Sequence, residues 1–501
     1  MLTRSTARAL ANRYVYSSVC ARGTLSGGLR WTPRMTIDKL SEDVLLEIFD
    51  AYRQLYESSP RYAKVWNGRD GWFKLTHVCR SWRRLVHLSP SRLHVHFLFM
   101  PRRSSRVTML KNLPPFPILV DYYFAEWTER ELNLALAAIR HRDRVRGISL
   151  RRRQYTDMTK ILRALSRPFP ELESLEIRST YDQYFELTLP PTFLSGSASC
   201  LRRLTLHDVV PKSLSSPLST ATGLVELSLL LRVSYGALPE TSFISNLQRM
   251  PCLRRLELRL KDSHHTIISD SPQPPTVSGD IVPLPNLIQF TFTGQQIYLE
   301  AFVAVLAAPS LQHLDTEVSG ATDAFPIPHL CRFICDTDNQ FILVRLDFYD
   351  YQLQFTAKMR SQSVHAQPFR IVIPEPVSLE EVGNRLSEPL ATVEELVVGW
   401  YVNGERHVQW HKFFDYMQQV KLIQVPLQVA HGVAESLQVG QNPVMDVLPA
   451  LERVNVDMTQ WHFSSHRANR NSQYHETIPD AFEPLIAARE KVGHPITLSF
   501  T

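Results

Sequence analysis

SFISNLQRMPCLRRLEL, residues 242–258, holds a helical stretch, a break at Pro251 and then the spacing L-x-x-L-x-L. The arrangement recurs along the chain. MTKILRALSRPFPELESLEI (158–177) repeats it, as do EAFVAVLAAPSLQHLDTEV (300–318) and VMDVLPALERVNV (444–456). TEREL (128–132) opens another unit with a Thr128-to-Glu131 capping box; Leu132, Ala135, Leu136 and Ile139 follow on one helix face, and VRGISL reads as the strand. Five units share P-x-L-x-x-[LFV], beginning at Pro170, Pro251, Pro285, Pro309 and Pro449. Proline cannot continue a helix, so it is expected to stop one just ahead of each strand.

The first apolar positions of the units are Val145, Leu172, Leu201, Leu224, Leu253, Leu287, Leu311, Leu343, Val393, Met417 and Leu451, with a weaker unit in FRIVI at 369–373. Their spacing of about 23 to 34 residues is the leucine-rich-repeat range with insertions. The longest insertion, KDSHHTIISDSPQPPTVSGDIVPLP (261–285), is rich in Pro and Ser and reads as a loop. The Asn or Cys expected shortly after each strand is missing, so no internal hydrogen-bonded ladder follows from the sequence. An α/β solenoid of irregular period is the expected fold over 101–501, with ordinary βα domains as the alternative.

Alternation within the strands leaves one face wet. Its residues read Ser174/Glu176/Arg178, Arg203/Thr205/His207, Arg255/Glu257/Arg259, His313/Asp315/Glu317, Arg345/Asp347/Tyr349 and Arg453/Asn455/Asp457. Mixed charge of this kind suits a polypeptide partner, where it sets register and excludes wrong partners. Arg203, Arg255, Glu257, Arg259, Asp315, Arg345, Asp347 and Arg453 are the candidate substrate-binding residues. Phosphorylation of the partner is compatible with the arginines among them.

Composition narrows the function. The net charge is +6, but residues 1–34 hold six arginines and no acid, and without them the body balances at 49 basic against 49 acidic residues. That balance argues against nucleic acid as a partner. The leader 1–34 has the composition of a mitochondrial presequence; a disordered tail, or a start at Met35, are the alternatives. No window approaches the ~18 apolar residues of a membrane span. The six cysteines lack any CxxC pair, and reduced thiols in the cytosol or nucleus are expected.

Nor is there a catalytic or metal signature. GxxxxGK[ST], G-x-S-x-G and HExxH are absent. His264–His265 lie in the long insertion, and His462 and His466 share helical spacing without a carboxylate between them, so neither pair is expected to bind a metal. RHRDRVRGISLRRR (140–153) is the one dense basic cluster, and it lacks interleaved aromatics. It reads as a solvated helix end or an acidic partner's docking patch.

Two further stretches are of another kind. LSEDVLLEIF (40–49) begins a helix at Ser41, Glu42 and Asp43, with Val44, Leu45, Ile48 and Phe49 as an apolar stripe. WFKLTHVCRSWRRLV (72–86) carries a second stripe of Phe73, Leu75, Val78, Cys79, Trp82, Leu85 and Val86, with Arg80, Arg83 and Arg84 towards water. At ~1.5–3 kcal/mol per large side chain removed from water, two such helices cannot bury every apolar group by themselves.

These residues resemble the F-box, whose halves run approximately L-P-x-E-x-L-x-x-I-F and V-C-[KR]-x-W-[KR]-x-[LV]. The matches are Leu40, Val44, Leu45, Ile48 and Phe49, then Val78, Cys79, Arg80, Trp82, Arg83 and Leu85. LSPSRLHVHFLF (88–99) is similar to the segment that closes the motif in many fungal members. Ser41 replaces the usual proline, and the spacer DAYRQLYESSPRYAKVWNGRDG (50–71) is longer than usual. The resemblance implies a helical F-box domain over 35–100 ahead of the solenoid. It also implies docking onto the Skp-type adaptor of an SCF (cullin–RING) ubiquitin ligase, with the repeats selecting a protein substrate and no chemistry done by the chain. Leu40, Val44, Leu45, Ile48, Phe49, Val78, Cys79 and Trp82 are then the adaptor contacts or their support. No cofactor, metal, nucleic acid or membrane enters this expectation, and the compartment is cytoplasm or nucleus unless the leader is a presequence. Two other readings remain: helices that only cap the solenoid, and an enzyme that would need a convergent nucleophile, base and orienter.

Overall fold

Alternate side chains of the repeated L-x-x-L-x-L segments go to opposite sides of one sheet. The structure, a computed structural model, describes residues 40–57, 74–89, 95–96, 115–122, 129–152, 155–179, 187–210, 215–233, 241–262, 281–320, 327–337, 340–349, 352–360, 369–374, 377–401, 409–438, 447–458 and 472–501. It is a mixed α/β protein built on a large, mostly parallel sheet of 16 strands. The first nine are β1 Val95–His96, β2 Ile118–Tyr122, β3 Val145–Arg152, β4 Ser174–Ser179, β5 Arg203–His207, β6 Glu226–Val233, β7 Arg255–Asp262, β8 Gln289–Gln295 and β9 His313–Ser319. They lie side by side in chain order and parallel. The others are β10 Phe341–Tyr349, β11 Gln352–Met359, β12 Phe369–Pro374, β13 Glu395–Tyr401, β14 Leu422–Pro426, β15 Arg453–Asp457 and β16 Thr497–Phe500.

The expected units from Leu172 to Leu311 are in phase. Ser174, Arg203, Glu226, Arg255, Gln289 and His313 are direct lateral partners across five strand pairs. Leu204 and Leu206, Leu227 and Leu229, and Leu256 and Leu258 are buried below them, in one continuous core shared with the helices between strands.

The prolines have a different role from the expected one. Leu172 N donates to Phe169 O, Leu253 N to Met250 O, Leu287 N to Leu284 O, Leu311 N to Ala308 O and Leu451 N to Leu448 O. Each proline is thus the second residue of a β-turn, where its fixed φ is already correct, rather than a helix terminator. Ala198–Leu201, Ala221–Leu224 and Leu390–Val393 close the same turn without proline. A backbone ladder does link the units, and it lies ahead of the strands. Arg202 N donates to Glu173 O at 2.8 Å, Val225 N to Arg202 O at 2.7 Å, Arg254 N to Val225 O at 2.8 Å and Ile288 N to Arg254 O at 2.9 Å. No side-chain Asn or Cys is needed for it.

Chain order breaks once. The sheet runs β9–β12–β11–β10–β13, with β11 antiparallel to both neighbours while β12 is parallel to β9 and β10 to β13. The weak unit at 369–373 is therefore a strand, but it sits beside β9 through a meander, not as a simple repeat. At β10 the register shifts between Phe341 and Leu343, so Phe341, Val344 and Leu346 are the buried set and Leu343 is not. The unit placed at Met417 is also out of frame. Its strand is β14, with Val420, Ile423 and Val425 inward and Met417 buried in the segment before it.

Two buried polar groups hold the layers together. Glu300, 8% exposed, accepts from His329 N at 2.7 Å and Leu330 N at 3.0 Å, capping the helix Pro328–Cys335; burial raises its pKa. Arg489, near the end of the helix Ser472–Lys491, is 0% exposed and donates to Val447 O at 2.7 Å, Leu448 O at 2.9 Å and Leu451 O at 3.3 Å. It holds together the last P-x-L turn, where Leu448 has a φ of 49°.

Candidate functional site

Helix α1 (Glu42–Glu57) starts where the acidic run predicts, with Ser41 Oγ accepting from Val44 N at 3.5 Å. The second stretch is not one helix. Cys79 is extended, with φ −155°, and divides α2 (Leu75–Val78) from α3 (Arg80–Leu88). Its Sγ accepts from Trp82 N at 3.4 Å, so Cys79 caps α3. Arg83 Nε donates to Thr76 O at 2.8 Å and ties the two segments together. Phe49 meets Trp82 edge-on with ring centroids 4.8 Å apart.

This packing sorts the eight expected adaptor residues. Leu45 and Phe49 are buried with Leu85 and Val86, and Leu40 and Trp82 are half-buried against the same core. Val44, Ile48 and Val78 stay 45%, 39% and 57% exposed. Val44 and Ile48 are one turn apart on α1. The helices also contact the sheet: His87 of α3 lies 5.8 Å from Phe116, just before β2. Phe73, Thr128, both histidine pairs and the leader fall outside the described residues. Among the described residues no group of three His, Cys, Asp or Glu could hold a metal, and no helix is long and apolar enough to cross a membrane.

The second surface is the polar face of the sheet. One lateral row runs Asp121, Ser149, Glu176, Thr205, Ser228, Glu257, Thr291 and Asp315, then Arg370, Thr356 and Arg345 through the meander. The expected substrate residues all lie on this side of the sheet, but not together. Arg203 and Arg255 share a row, with Arg255 Nη1 3.5 Å from Glu226 Oε1 and its Nε donating to Gln289 Oε1 at 3.0 Å. Asp315 accepts from Arg370 Nη1 at 2.9 Å. Arg453 is ten strand steps from Arg203, about 48 Å along a sheet at ~4.8 Å per step. They form a broad surface and not a pocket.

Asp347 is not wet. It is 3% exposed, and Arg345 Nε and Nη2 donate to its carboxylate at 2.9 Å. The pair fits because β13 carries Gly399 beside it, where a Cβ would stand 2.0 Å from Asp347 Oδ1. The basic cluster at 140–153 also divides. Arg144 Nε donates to Phe116 O at 3.1 Å, and Arg146 faces Glu171 and Glu173, while Arg151 is exposed on the polar face.

Asp121 and Arg370 were not legible as surface-row residues. Asp121 sits in the apolar run PILVDYYF (117–124), with the single acid as its only signal. It is half-buried at the start of the row, and its Oδ1 has no hydrogen-bond partner among the described residues. Burial, with the Glu176 carboxylate adding to it, pushes its pKa up to about 7. The ordinary value is 3.8, so the native state holds a proton that the unfolded state releases. This contribution is fully present below that value, falls as pH rises and is lost above about 7. Asp121→Asn is therefore expected to stabilise increasingly between about pH 4 and pH 7, reaching about 2 kcal/mol after screening by solvent. Urea denaturation of both proteins across that range checks it; a gain that did not depend on pH would contradict the assignment.

No protein-family model matches the chain, and no curated protein matches it. Among solved structures, a Bacteroides fragilis protein determined as a structural-genomics target is similar at 9% identity over 77% of this chain and 74% of that chain. Its TM-score is 0.24, too low to carry a reading of fold or function.

Proposed function

We propose that this chain is the substrate-recognition subunit of an SCF (cullin–RING) ubiquitin ligase. In this reading α1–α3 are an F-box that binds a Skp-type adaptor, and the sheet with its helices is an irregular leucine-rich-repeat-like solenoid. Its polar face holds the protein substrate. The chain does no chemistry and needs no cofactor; it raises the concentration of the target near the charged conjugating enzyme. Cytoplasm or nucleus is the matching compartment, unless the leader directs the chain to mitochondria.

The supporting observation is the division within the helical unit. Leu45, Phe49, Leu85 and Val86 complete an internal core, while Val44, Ile48 and Val78 remain in water beside it. Those three positions match the F-box pattern and are not needed for the unit's own packing. A second reading has its own support: His87 against Phe116 joins the unit to the first long strand, as a solenoid cap would.

Capture of the full chain by a purified Skp-type adaptor separates the two. The wild type is expected to bind, and Ile48→Asp/Val78→Asp to bind at least about 100-fold more weakly with an unchanged melting curve, since both residues are exposed. Leu45 is unsuitable for this test because a charge at a buried site would unfold the unit. Absence of wild-type binding means the helices are a cap and the ligase reading is dropped.

A further inference from the structure

The polar face repeats one three-residue arrangement with the same atoms. On β3 and β4, Ser149 Oγ donates to Glu176 Oε2 at 2.9 Å and Arg178 Nε donates to Glu176 Oε1. On β6 and β7, Ser228 Oγ donates to Glu257 Oε2 at 2.8 Å and Arg259 Nε lies 2.7 Å from Glu257 Oε1. In both, the glutamate lies against the guanidinium at Nε, as a hydrogen bond at Arg178 and as an ion pair without hydrogen-bond geometry at Arg259. The two terminal nitrogens of Arg178 and of Arg259 make no hydrogen bond among the described residues. Both arginines are about two-fifths exposed, at 41% and 42%. Each therefore presents to solvent the parallel pair of N–H groups that a carboxylate accepts bidentately.

The arginines are also in one row. Arg178 pairs laterally with His207, His207 with Leu230, and Leu230 with Arg259. Three strand steps separate them, about 14 Å at ~4.8 Å per step. An extended peptide advances ~3.3–3.4 Å per residue, so it covers that distance in four residues. Residues i and i+4 of an extended chain point the same way, as does i+2. His207 and Leu230 are both half-buried between the arginines, and i+2 falls between the two.

We propose that this row binds an extended peptide crossing the strands, with carboxylates at i and i+4 on Arg178 and Arg259 and an apolar residue at i+2 between His207 and Leu230. The inference rests on the substrate-binding half of the function proposed above and gives the substrate's chemistry. It commits to Asp or Glu and not to phosphoserine. Glu176 and Glu257 already neutralise the arginines, so an incoming monoanion meets a dyad of zero net charge. A phosphoryl group of nearly two negative charges doubles attraction and repulsion alike, so the neutral dyad leaves its larger desolvation cost uncompensated.

Fluorescence polarisation of the full chain tests this, with a labelled peptide of about nine residues carrying glutamates at i and i+4, leucine at i+2, and alanine and serine elsewhere. Saturable, salt-sensitive binding is expected. It should weaken at least about tenfold in Arg178→Ala/Arg259→Ala and when the second glutamate is moved to i+2. Arg178→Lys/Arg259→Lys keeps the charges and loses the paired donors, so it should fall between. Arg332→Ala, an exposed arginine on the helix Pro328–Cys335 and away from the polar face, should bind as the wild type does. Absence of saturable binding, wild-type affinity in the double alanine variant, or tighter binding of the phosphoserine peptide would overturn the inference. Adaptor capture is scored on the same preparation. Peptide binding without it keeps this inference and drops the ligase, while adaptor capture without peptide binding does the reverse.

Discussion

Arg489→Leu is expected to cost about 3–5 kcal/mol of folding stability, because it removes the guanidinium donor from three buried carbonyls at once. The guanidinium donates to Val447, Leu448 and Leu451 in a turn that no other described residue closes by side-chain bonds. Leucine fills a similar volume and relieves the desolvation of the charge, which lowers the arginine's pKa in the native protein. The carbonyls of Val447 and Leu451 nevertheless lose the guanidinium, only Leu448 O keeping a second donor in Leu451 N, and Leu448 keeps its left-handed φ. Arg489→Lys retains the charge and fewer donors and should fall between. Urea denaturation gives the loss as a shift in midpoint. A change below about 1 kcal/mol would mean that water replaces the guanidinium and the turn does not depend on it.

The second large effect is local to the helical unit. Phe49→Ala removes a ring that is 1% exposed and packed edge-on against Trp82, a loss of about 3–5 kcal/mol for a phenylalanine truncated in a core. So small a unit has no other aromatic pair of this kind among its described residues, and α1 should open on its own. Hydrogen exchange is the discriminating measurement. Protection is expected to fall through α1–α3 while β3 to β9 remain protected at the wild-type level. Uniform loss over the sheet would show instead that helices and sheet unfold as one body, favouring the cap reading of the N-terminus.

Much of the sheet was legible because two independent signals coincide in it. Leu172, Leu201, Leu224, Leu253, Leu287 and Leu311 each follow a turn signal and precede a period-two alternation. Where one signal failed, so did the frame. Met417 and Val420 are both buried and three apart, so either can start the spacing, and only the position of β14 decides. β2, β11 and β16 were missed since Pro115, Asp350 and Pro495 stand where the L-x-x-L-x-L spacing needs its first apolar residue. β11 in particular is antiparallel, two residues beyond β10, and carries no Gly or Asn between them.

The sites were legible as residue sets but not as surfaces. The stripe Val44, Leu45, Ile48 and Phe49 is wide enough to face two ways, and periodicity does not say which half meets the protein's own core. Strand alternation correctly sent Asp347 to the polar face, but its burial depends on Gly399, 52 positions later, which no local pattern connects to it. The repeated Ser–Glu–Arg arrangement needs the lateral register, because Ser149 and Ser228 belong to the strand before their glutamates.

The reversed order β12–β11–β10 has a consequence for synthesis. Up to β9 the sheet can grow at its open edge as the chain emerges, each strand docking on the one just made. β10 cannot, because its place is three positions beyond that edge. Growth therefore halts at residue 319 until residue 374 is available, when β12 reaches β9 and the meander is set down as a block. A ribosome paused between those points would carry a finished edge with nothing to cover it, the interval in which a nascent chain most needs a chaperone.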